Sequence, residues 1–375
     1  MPSFSATDLL SAALQAGLVC AATCVLIVVT KALHGHLSFD STSGPQKFHK
    51  APTPRIGGVA LLAGLIAGWV FLPHASRTLL GQLLLAGLPV FVAGIAEDIT
   101  KRVGVRERLA AAMFGGLLAT LLTGYSLQRV DMPGFDQLLS WSPFAMVFTA
   151  FCVAGVANAV NIIDGFHGLA SGVVLLAVLT MGFIGARVGD YEYLQLCLVV
   201  AGATGGFMLL NFPLGKIFLG DAGAYLLGFL LAWLAVLLPV RNPEVSAWAS
   251  LAICAYPILE VFFSFKRKYA RKNCAPHKPD SVHLHMLLFR RASGRLLARP
   301  RSAAANALTS VLLWPFALLG CAAAVLLYRQ KELLMGVFLI LALAYHIVYM
   351  RLIHFRWCLV WNAQTSRLVS LSPES

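Results

Sequence analysis

Four acidic residues could support catalysis because they border apolar segments. They are Glu97, Asp98, Asp164 and Asp221. Ionisable groups at membrane depth are costly to bury, so acids in such positions tend to mark functional sites. Adjacent carboxylates such as Glu97-Asp98 can hold a divalent ion or raise one another's pKa, and either property suits acid–base or metal chemistry. A polar helix terminus is the alternative interpretation of this pair.

Glycine-containing patterns accompany the other two acids. Asn158, Asn161 and Asp164 are spaced three residues apart, close to one helical face, and lead into a turn whose backbone N–H groups can bind an anion. A helix C-cap would explain the glycines of that turn but not two asparagines and an aspartate together. Asp221 stands among glycines where an apolar segment begins, which predicts a metal ligand, a helix N-cap or both.

The segment from His283 to His285 supplies basic side chains. If this stretch is extended, the two histidines share one face and, with Arg290 nearby, can bind phosphate oxygens. The spacing of Cys274 and His277 from His283 matches no standard zinc finger, so a zinc site is not favoured. A solvated, histidine-rich loop is the alternative.

A second basic segment lies nearer the N-terminus. His49 and Lys50 precede prolines and paired glycines that fix a loop just before an apolar segment, where Lys50 and Arg55 are available to an anion. Lys101 follows the acidic pair at 97 and 98. It can neutralise phosphate charge in the same way.

The elements that must position these residues are membrane spans. The chain has 375 residues, of which 59% are hydrophobic and 12% charged, with a mean hydropathy of +0.78. Soluble domains carry about 25% charged residues, so much of the usual polar surface is missing. A span needs about 20 apolar residues. Such runs predict eleven spans, at 9–31, 56–72, 79–96, 108–124, 143–158, 168–187, 193–211, 218–239, 246–265, 306–328 and 333–353. The predicted fold class is all-α, a polytopic transmembrane helical bundle.

Basic residues determine the predicted orientation. One set of alternate loops holds most of the lysines and arginines, and the positive-inside rule assigns that set to the cytoplasm. The N-terminus is then outside and the C-terminus inside, with the candidate residues on the cytoplasmic face. The acids of the outer loops, including Asp131 and Asp190, are expected to be solvated. We predict one integral membrane domain over 1–375, with a basic cytoplasmic loop at 266–305 that bears the histidines.

The net charge of +13 does not indicate nucleic-acid binding. Basic residues punctuate the apolar spans instead of forming one aromatic-laced patch. The eight cysteines form no CxxC pair and lie mostly within apolar runs, so no disulfide framework is expected.

Taken together and in this order, the five polar blocks resemble the polyprenyl-phosphate N-acetylhexosamine-1-phosphate transferase superfamily, over roughly residues 45 to 291. The family's aspartate pair appears here as Glu97-Asp98, and the resemblance implies that this pair works at the lipid phosphate. In the NxxNxxDGxDGLA block, His167 replaces the second aspartate, at a position associated with the nucleotide base. The FxGDxG block is intact and includes Phe218 and Asp221, which the resemblance implies is the Mg²⁺ ligand.

Other positions match the family in part. His283 and His285 occupy two positions of its histidine motif, which binds phosphate or nucleotide, while Met286 replaces a further histidine. Asn211 and Lys50 match family positions that line the nucleotide-sugar cleft. The substrate-binding residues predicted on all these grounds are His49, Lys50, Lys101, Asn158, Asn161, His167, Asn211, Phe218, His285 and Arg290.

The resemblance implies transfer of an N-acetylhexosamine-1-phosphate from a UDP-sugar to undecaprenyl phosphate, with release of UMP, in the bacterial inner membrane. Mg²⁺, with Mn²⁺ as an alternative, would bridge the diphosphate and be held by Asp221 together with Asp98. Asp98 or Glu97 is expected to deprotonate or position the lipid phosphate for a single displacement, with a covalent aspartyl intermediate as the alternative. Asp164 and His283 complete the predicted catalytic set. The expected partners are the lipid bilayer, undecaprenyl phosphate and a UDP-N-acetylhexosamine, without nucleic acid.

Three other functions compete with this interpretation. A transporter would more often place ionisable residues near mid-bilayer and show matching halves, which the sequence lacks. A CDP-alcohol phosphotransferase would need a compact motif of aspartates that is not found. The departures at Glu97, His167 and Met286 are compatible with an inactive scaffold. Those at Glu97 and His167 favour a surface-glycan enzyme over a peptidoglycan enzyme. The donor sugar and homodimer formation are left open.

Overall fold

The computed structural model describes residues 6–38, 53–270, 282–293 and 302–354. Within these ranges the protein is built of helices and contains no β-strand. Long apolar sequences fold this way in lipid because a helix satisfies its backbone polar groups internally. The elements are α1 (Ala6–Val29), α2 (Lys31–Ser38), α3 (Gly57–Phe71), α4 (His74–Thr100), α5 (Val105–Thr123), α6 (Phe135–Leu139), α7 (Ser142–Ile163), α8 (Leu169–Arg187), α9 (Tyr191–Asn211), α10 (Gly220–Arg241), α11 (Ala247–Ile253), α12 (Ala255–Ala270), α13 (Leu284–Leu288), a π-helical turn (Phe289–Ser293), α14 (Ala303–Leu327) and α15 (Lys331–Ile353).

Every predicted span coincides with a helix or, in one case, with a pair of helices. In the described part of the chain, eight helices are long and apolar enough to cross a membrane, namely α1, α4, α7, α8, α9, α10, α14 and α15. The predicted class of helical polytopic membrane protein is confirmed. Two other predicted spans fit less well, because α3 has only 15 residues and α5 begins with Arg106, Glu107 and Arg108. The count of eleven crossings and the placement of the termini stay predictions.

The bundle has two ends, which differ in the residues that meet there. At the first, called the site end, α4 finishes near Asp98, α10 begins at Asp221 and α14 begins near Asn306, which bonds to the loop after α7. At the opposite end, Arg241 of α10 pairs with Asp190, which precedes α9. The long helices therefore run between these ends, and the described parts of the loops predicted to be cytoplasmic lie at the site end.

The ninth predicted span, 246–265, is not one straight helix. It consists of α11 and α12, which are bent by 76° at a break around Cys254. The backbone N–H of Ser246 donates to Tyr328 O at the opposite end, over 2.8 Å. Glu260, farther along α12, contacts His283 at the site end. The bent pair thus connects the two ends of the bundle instead of returning to the end where it began.

Small residues bring α1 and α9 close together. Gly202 faces Ala13 O and Gly206 faces Gly17 O, so closely that a Cβ on either position of α9 would overlap the backbone of α1. Small residues four apart favour helix association in lipid, where packing replaces the hydrophobic effect as the attraction. Both helices also contact α3. This packing fixes α3, whose N-terminal side carries the loop with Arg55.

Two acids that were predicted to be solvated are instead largely enclosed and hydrogen-bonded at the opposite end. Arg241 donates to both oxygens of Asp190, over 2.7 and 2.8 Å. Asp131 accepts the hydroxyl of Ser246 and the backbone N–H of Ala247. Both acidic side chains are only 10% exposed. The prediction is wrong for these two acids because they accept hydrogen bonds from Arg241, Ser246 and Ala247, which are packed against them. Burial raises the pKa of Asp190, but the bonds from Arg241 and the backbone outweigh it and hold that pKa below its usual range.

Candidate active site

The centre of the site is the N-terminus of α10, a helix that is buried along most of its length. The first N–H groups of a helix lack intrahelical acceptors and attract anions. Asp98 of α4 supplies the acceptors, because its Oδ1 and Oδ2 accept the N–H groups of Asp221 and Ala222, each over 2.9 Å. The Asp98 side chain is fully buried. Asp98 therefore caps this helix from outside it, and the N-cap predicted for Asp221 is wrong.

Glycines allow the neighbouring helices to approach this helix end. Gly94 of α4 packs against Ala222 so closely that a Cβ at Gly94 would overlap the Cα of Ala222. Gly220 has a φ of +73°, a left-handed conformation that favours glycine. A Cβ at Gly220 would also lie 2.6 Å from Oδ2 of Asp98. The glycine pattern around Asp221 therefore serves backbone packing as well as access to the carboxylate.

Asp221 is held between two arginines. Arg55 donates to its Oδ1 over 2.8 Å, and Arg108, at the start of α5, donates to its Oδ2. Arg55 also lies 3.6 Å from Oδ1 of Asp98. Two carboxylates and two guanidinium groups thus form one cluster at the N-terminus of α10. Such a cluster can exchange its internal ion pairs for contacts with a phosphate and a cation.

Asn158 joins this cluster through an aromatic ring. The guanidinium of Arg108 lies over the Tyr225 ring, 5.4 Å from its centroid. The Tyr225 hydroxyl donates to Oδ1 of Asn158 over 2.9 Å. The asparagine block on α7 and the block around Asp221 therefore meet at the site end. Asn161 and Asp164 lie on the same helix end, half-buried.

The adjacent carboxylates Glu97 and Asp98 do not act as a pair. Glu97 turns to its own loop, where its Oε2 accepts the N–H of Val103 over 2.8 Å. Lys101 has a left-handed backbone, and its Nζ donates to the carbonyl of Asp98 over 2.7 Å. The loop between α4 and α5 borders an open depression of about 490 Å³. Its charged lining residues are Glu97, Lys101, Arg102, Arg106, Glu107 and Arg108. The expected sharing of one ion by Glu97 and Asp98 is not what this geometry favours.

The Asn211 side chain connects two loops of the site. Its Oδ1 accepts the N–H of Gly168 over 2.7 Å, and its Nδ2 donates to Ile217 O over 2.8 Å. Because both amide atoms bond within the chain and the residue is 6% exposed, Asn211 positions these loops. A direct substrate contact by Asn211 is the weaker interpretation.

His167 and Phe218 lie together between these loops. The backbone N–H of His167 donates to Oδ1 of Asn306 over 2.7 Å, and the ring Nδ1 of His167 lies 3.0 Å from Pro213 O. The ring centroids of His167 and Phe218 are 5.8 Å apart. The backbone of Phe218 also bonds to Pro54 and Gly57, which flank Arg55. These two residues therefore link the loop after α7 to the arginine of the central cluster.

The two motif histidines rest on an acid that the sequence analysis did not consider. Glu260 of α12 is 0% exposed, and its Oε1 accepts from Nδ1 of His283 over 2.8 Å. The rings of His283 and His285 are parallel, with centroids 5.3 Å apart. His285 lies edge-on to Phe166, in the loop that follows Asp164. The stretch is helical from Leu284 onward, so the extended conformation considered from the sequence is wrong, although the two rings do share one face.

The remaining candidates lie at the margin of the site or beyond the described ranges. His49 and Lys50 lie outside the described residues. Arg290 is exposed in the π-helical turn that follows the histidines. Its side chain therefore has access to solvent near the site end.

The carboxylates of this site could hold a divalent ion only together with ligands from the substrate or water. Across the described ranges, no group of three His, Cys, Asp or Glu side chains is arranged to hold a metal. Mg²⁺ is commonly held by one or two carboxylates together with water and substrate phosphates. Asp221 fits that role if its arginines move to the phosphates. Asp98 fits less well as a second ligand, because both of its oxygens already accept backbone N–H groups.

The family model described as glycosyl transferase family 4 matches residues 80–239. The matched segment contains Glu97, Asp98, the asparagine block and Asp221, and it ends before Glu260 and the histidines. Together with the relatives below, this match confirms the resemblance to the polyprenyl-phosphate N-acetylhexosamine-1-phosphate transferase superfamily. The predicted class, a membrane phosphotransferase, is confirmed with it.

Three relatives define the resemblance more closely. A probable undecaprenyl-phosphate N-acetylglucosaminyl 1-phosphate transferase of Bacillus subtilis is 28% identical over 64% of this chain and 66% of its own length. The undecaprenyl-phosphate alpha-N-acetylglucosaminyl 1-phosphate transferase of Yersinia pestis is 27% identical over 65% and 68%. The decaprenyl-phosphate N-acetylglucosaminephosphotransferase of Mycobacterium tuberculosis is 29% identical over 63% and 65%. The alignments thus span about two thirds of each relative.

Sequence reasoning missed two residues that the structure brings into the site. Arg108 was not among the predicted site residues, although an arginine at the start of an apolar helix is a signal in its own right. Glu260 stands inside an apolar helix, and its cost at membrane depth could have revealed it.

Proposed function

We propose that the protein transfers a sugar-1-phosphate from a UDP-sugar to undecaprenyl phosphate and releases UMP. A phosphate oxygen of the lipid attacks the sugar-bearing phosphorus of the donor. The bond from that phosphorus to the bridging oxygen breaks, and the bridging oxygen leaves with UMP. The product carries the sugar on a lipid diphosphate, which suits the first membrane step of a surface glycan such as O-antigen or capsule.

The observation that carries this proposal is the cluster of Asp98, Asp221, Arg55 and Arg108 at the N-terminus of α10. The reaction brings a phosphate monoester against a diphosphate, and the accumulated negative charge must be neutralised before they can meet. Phosphoryl transfer relies almost entirely on positioning and such electrostatic stabilisation. A buried helix N-terminus with two adjacent arginines supports that role.

The acceptor phosphate is assigned to the depression between α4 and α5. Lys101, Arg102 and Arg106 line it and would bind the phosphate oxygens. Glu97 borders the same space and is the better placed carboxylate to accept a proton from the lipid phosphate. Asp98, whose oxygens cap α10, would act by holding Asp221 and Arg55 in position.

The donor diphosphate is assigned to the other side of the cluster, between Asp221 and the histidine pair. Mg²⁺, or Mn²⁺, bound at Asp221 would supply positive charge between the two phosphates of the donor. Arg55 and Arg108 would move from Asp221 to phosphate oxygens. His283 and His285 would bind the diphosphate, and His167 would lie near the uracil base, as the family resemblance implies.

The experiment that tests this function uses purified protein with undecaprenyl phosphate, Mg²⁺ and a panel of UDP-N-acetylhexosamines, with UMP release as the readout. UDP-N-acetylglucosamine comes first, because the relatives are named for that sugar. We expect release that requires lipid and metal together. Removal of the metal by EDTA should abolish it, and added Mg²⁺ should restore it.

Asp221→Asn should lower UMP release by at least about 100-fold, because it removes the charge that orients cation and arginines. Glu332→Gln is the matched control, since that carboxylate is 75% exposed at the opposite end. It should retain full activity. No release with any donor from folded wild-type protein would refute the UDP-sugar assignment and favour an inactive scaffold.

A further inference from the structure

Glu260 is a carboxylate buried within the bundle that the proposed reaction does not yet use. It lies on α12, beyond the bend at Cys254, and is 0% exposed. A buried charge is costly unless several groups compensate it. Such a residue in an apolar helix therefore needs a reason beyond packing.

The compensating groups come from the histidine motif. Oε1 of Glu260 accepts both Nδ1 of His283, over 2.8 Å, and the backbone N–H of Leu284, over 3.2 Å. Its Oε2 lies 3.9 Å from Nδ1 of His285. Arg267, about two turns farther along the same face of α12, lies 3.9 Å from Oε1. One carboxylate thus contacts both motif histidines and the start of α13.

The contact with Glu260 determines which ring nitrogen of His283 faces Glu260 and which faces away from it. A carboxylate accepts hydrogen bonds, so Nδ1 of His283 must donate, and Nε2 is the nitrogen that points away from Glu260. A carboxylate that accepts from one ring nitrogen fixes the orientation of the imidazole, and with it the direction in which the other nitrogen points. His285 stacks parallel to His283 and approaches the loop after Asp164 through Phe166. Glu260 therefore orients the His283 ring directly, and the His285 ring packs in parallel against it.

We infer that Glu260 is a positioning residue that holds His283 and His285 to bind the diphosphate of the donor. The inference rests on the proposed function for the identity of the ligand. Glu260 itself does not touch the substrate. It acts through His283, by fixing the orientation of the ring and therefore the position of Nε2.

A double-mutant cycle between Glu260→Gln and His283→Gln tests this inference. Glutamine keeps an oxygen to accept the Leu284 N–H, so the fold should persist, and the melting temperature checks this. We expect Glu260→Gln to reduce kcat/KM for UMP release about 10- to 100-fold, and Glu260→Asp to restore part of it. In the His283→Gln background, Glu260→Gln should cost less than about 3-fold, because the residue through which it acts is gone. Glu332→Gln should change neither value.

UDP-dependent thermal stabilisation provides a readout that does not need turnover. UDP with Mg²⁺ should raise the melting temperature of the wild type. Glu260→Gln and His283→Gln should each lose most of that increase, and the double variant no more than either. Stabilisation with this pattern but without UMP release would leave the inference standing and refute the proposed function.

Two results would overturn the inference while the function stands. One is a Glu260→Gln enzyme with wild-type kcat/KM. The other is a pair of substitutions whose effects multiply, since that would show Glu260 acting independently of His283. A wild type that neither gains stability from UDP nor releases UMP would overturn both proposals.

Discussion

At the scale of the residue, the environment gives identical side chains different roles. Asp98 and Asp221 are neighbours, yet Asp98 accepts two backbone N–H groups while Asp221 faces two arginines. The first arrangement stabilises structure, and the second leaves a carboxylate that can exchange its partners. Glu97, adjacent to Asp98 in sequence, belongs to a third environment because it faces the loop at Val103. Sequence adjacency therefore does not indicate shared function here.

Asp98→Asn should lower stability as well as activity. An asparagine has one acceptor oxygen and would turn its NH₂ group toward one of two backbone donors, leaving that donor unpaired in a buried site. Leaving a buried donor unsatisfied costs about 1–3 kcal/mol, so thermal unfolding in detergent should show a clear loss of melting temperature. Glu97→Gln keeps an acceptor for Val103 and should melt close to the wild type. An unchanged melting temperature for Asp98→Asn would contradict the capping role.

Asp190→Asn should destabilise the opposite end in a pH-dependent way. The folded-state pKa of Asp190 lies below its usual value of 3.8. The charged form therefore contributes stability above that value, and this contribution is lost as pH falls below 3.8 through the folded pKa. At pH 7 the variant should melt below the wild type, by an amount equivalent to about 1.5–3 kcal/mol for a charged hydrogen-bonded group. The gap should close as the pH is lowered below about 4, and a gap independent of pH would count against this assignment.

At the scale of the element, the site depends on how closely three helices meet. The start of α10 is enclosed by α3 and α4. Backbone hydrogen bonds between Phe218, in the loop before α10, and both Pro54 and Gly57 connect that loop to the start of α3. The histidines depend on another element, the bent pair α11–α12, because Glu260 lies beyond the bend. Helix packing and backbone geometry thus position the charged groups of this site in the protein itself.

Gly94→Ala should separate α4 from α10. The new Cβ would overlap the Cα of Ala222, and backbone cannot rotate aside as a flexible side chain can. Overpacking of this kind costs about 1–3 kcal/mol, and the shift would move Asp98 away from the helix it caps. We expect a lower melting temperature and at least about a 10-fold loss of UMP release. Gly155→Ala is the matched control, because nothing lies within 4 Å of a Cβ there, and it should leave both measurements unchanged.

At the scale of the whole molecule, sequence periodicity and composition were sufficient for the helical membrane class and for the approximate position of each long helix. They were also sufficient to bring the polar blocks to one end of the bundle. The bend at Cys254 was not predictable, because the same apolar sequence can form either one straight helix or two helices that meet at an angle. Partnerships such as Glu260 with His283 join positions 23 apart across a segment with no periodic pattern. Contacts of that kind arise from tertiary packing, which local pattern does not encode.

The orientation of the whole bundle can be measured by labelling single cysteines in a variant that lacks the native ones and retains UMP release. Arg102→Cys lies at the site end, and Ser140→Cys and Gln330→Cys lie at the opposite end, all at exposed positions. A membrane-impermeant maleimide should label Arg102→Cys from the cytoplasmic side, and the other two from the outer side, in vesicles of defined orientation. Gln330 is the decisive position, because eleven crossings require the bent pair α11–α12 to cross. If that pair instead turned back, Gln330→Cys would label from the same side as Arg102→Cys, and both the span count and the predicted positions of the termini would be wrong.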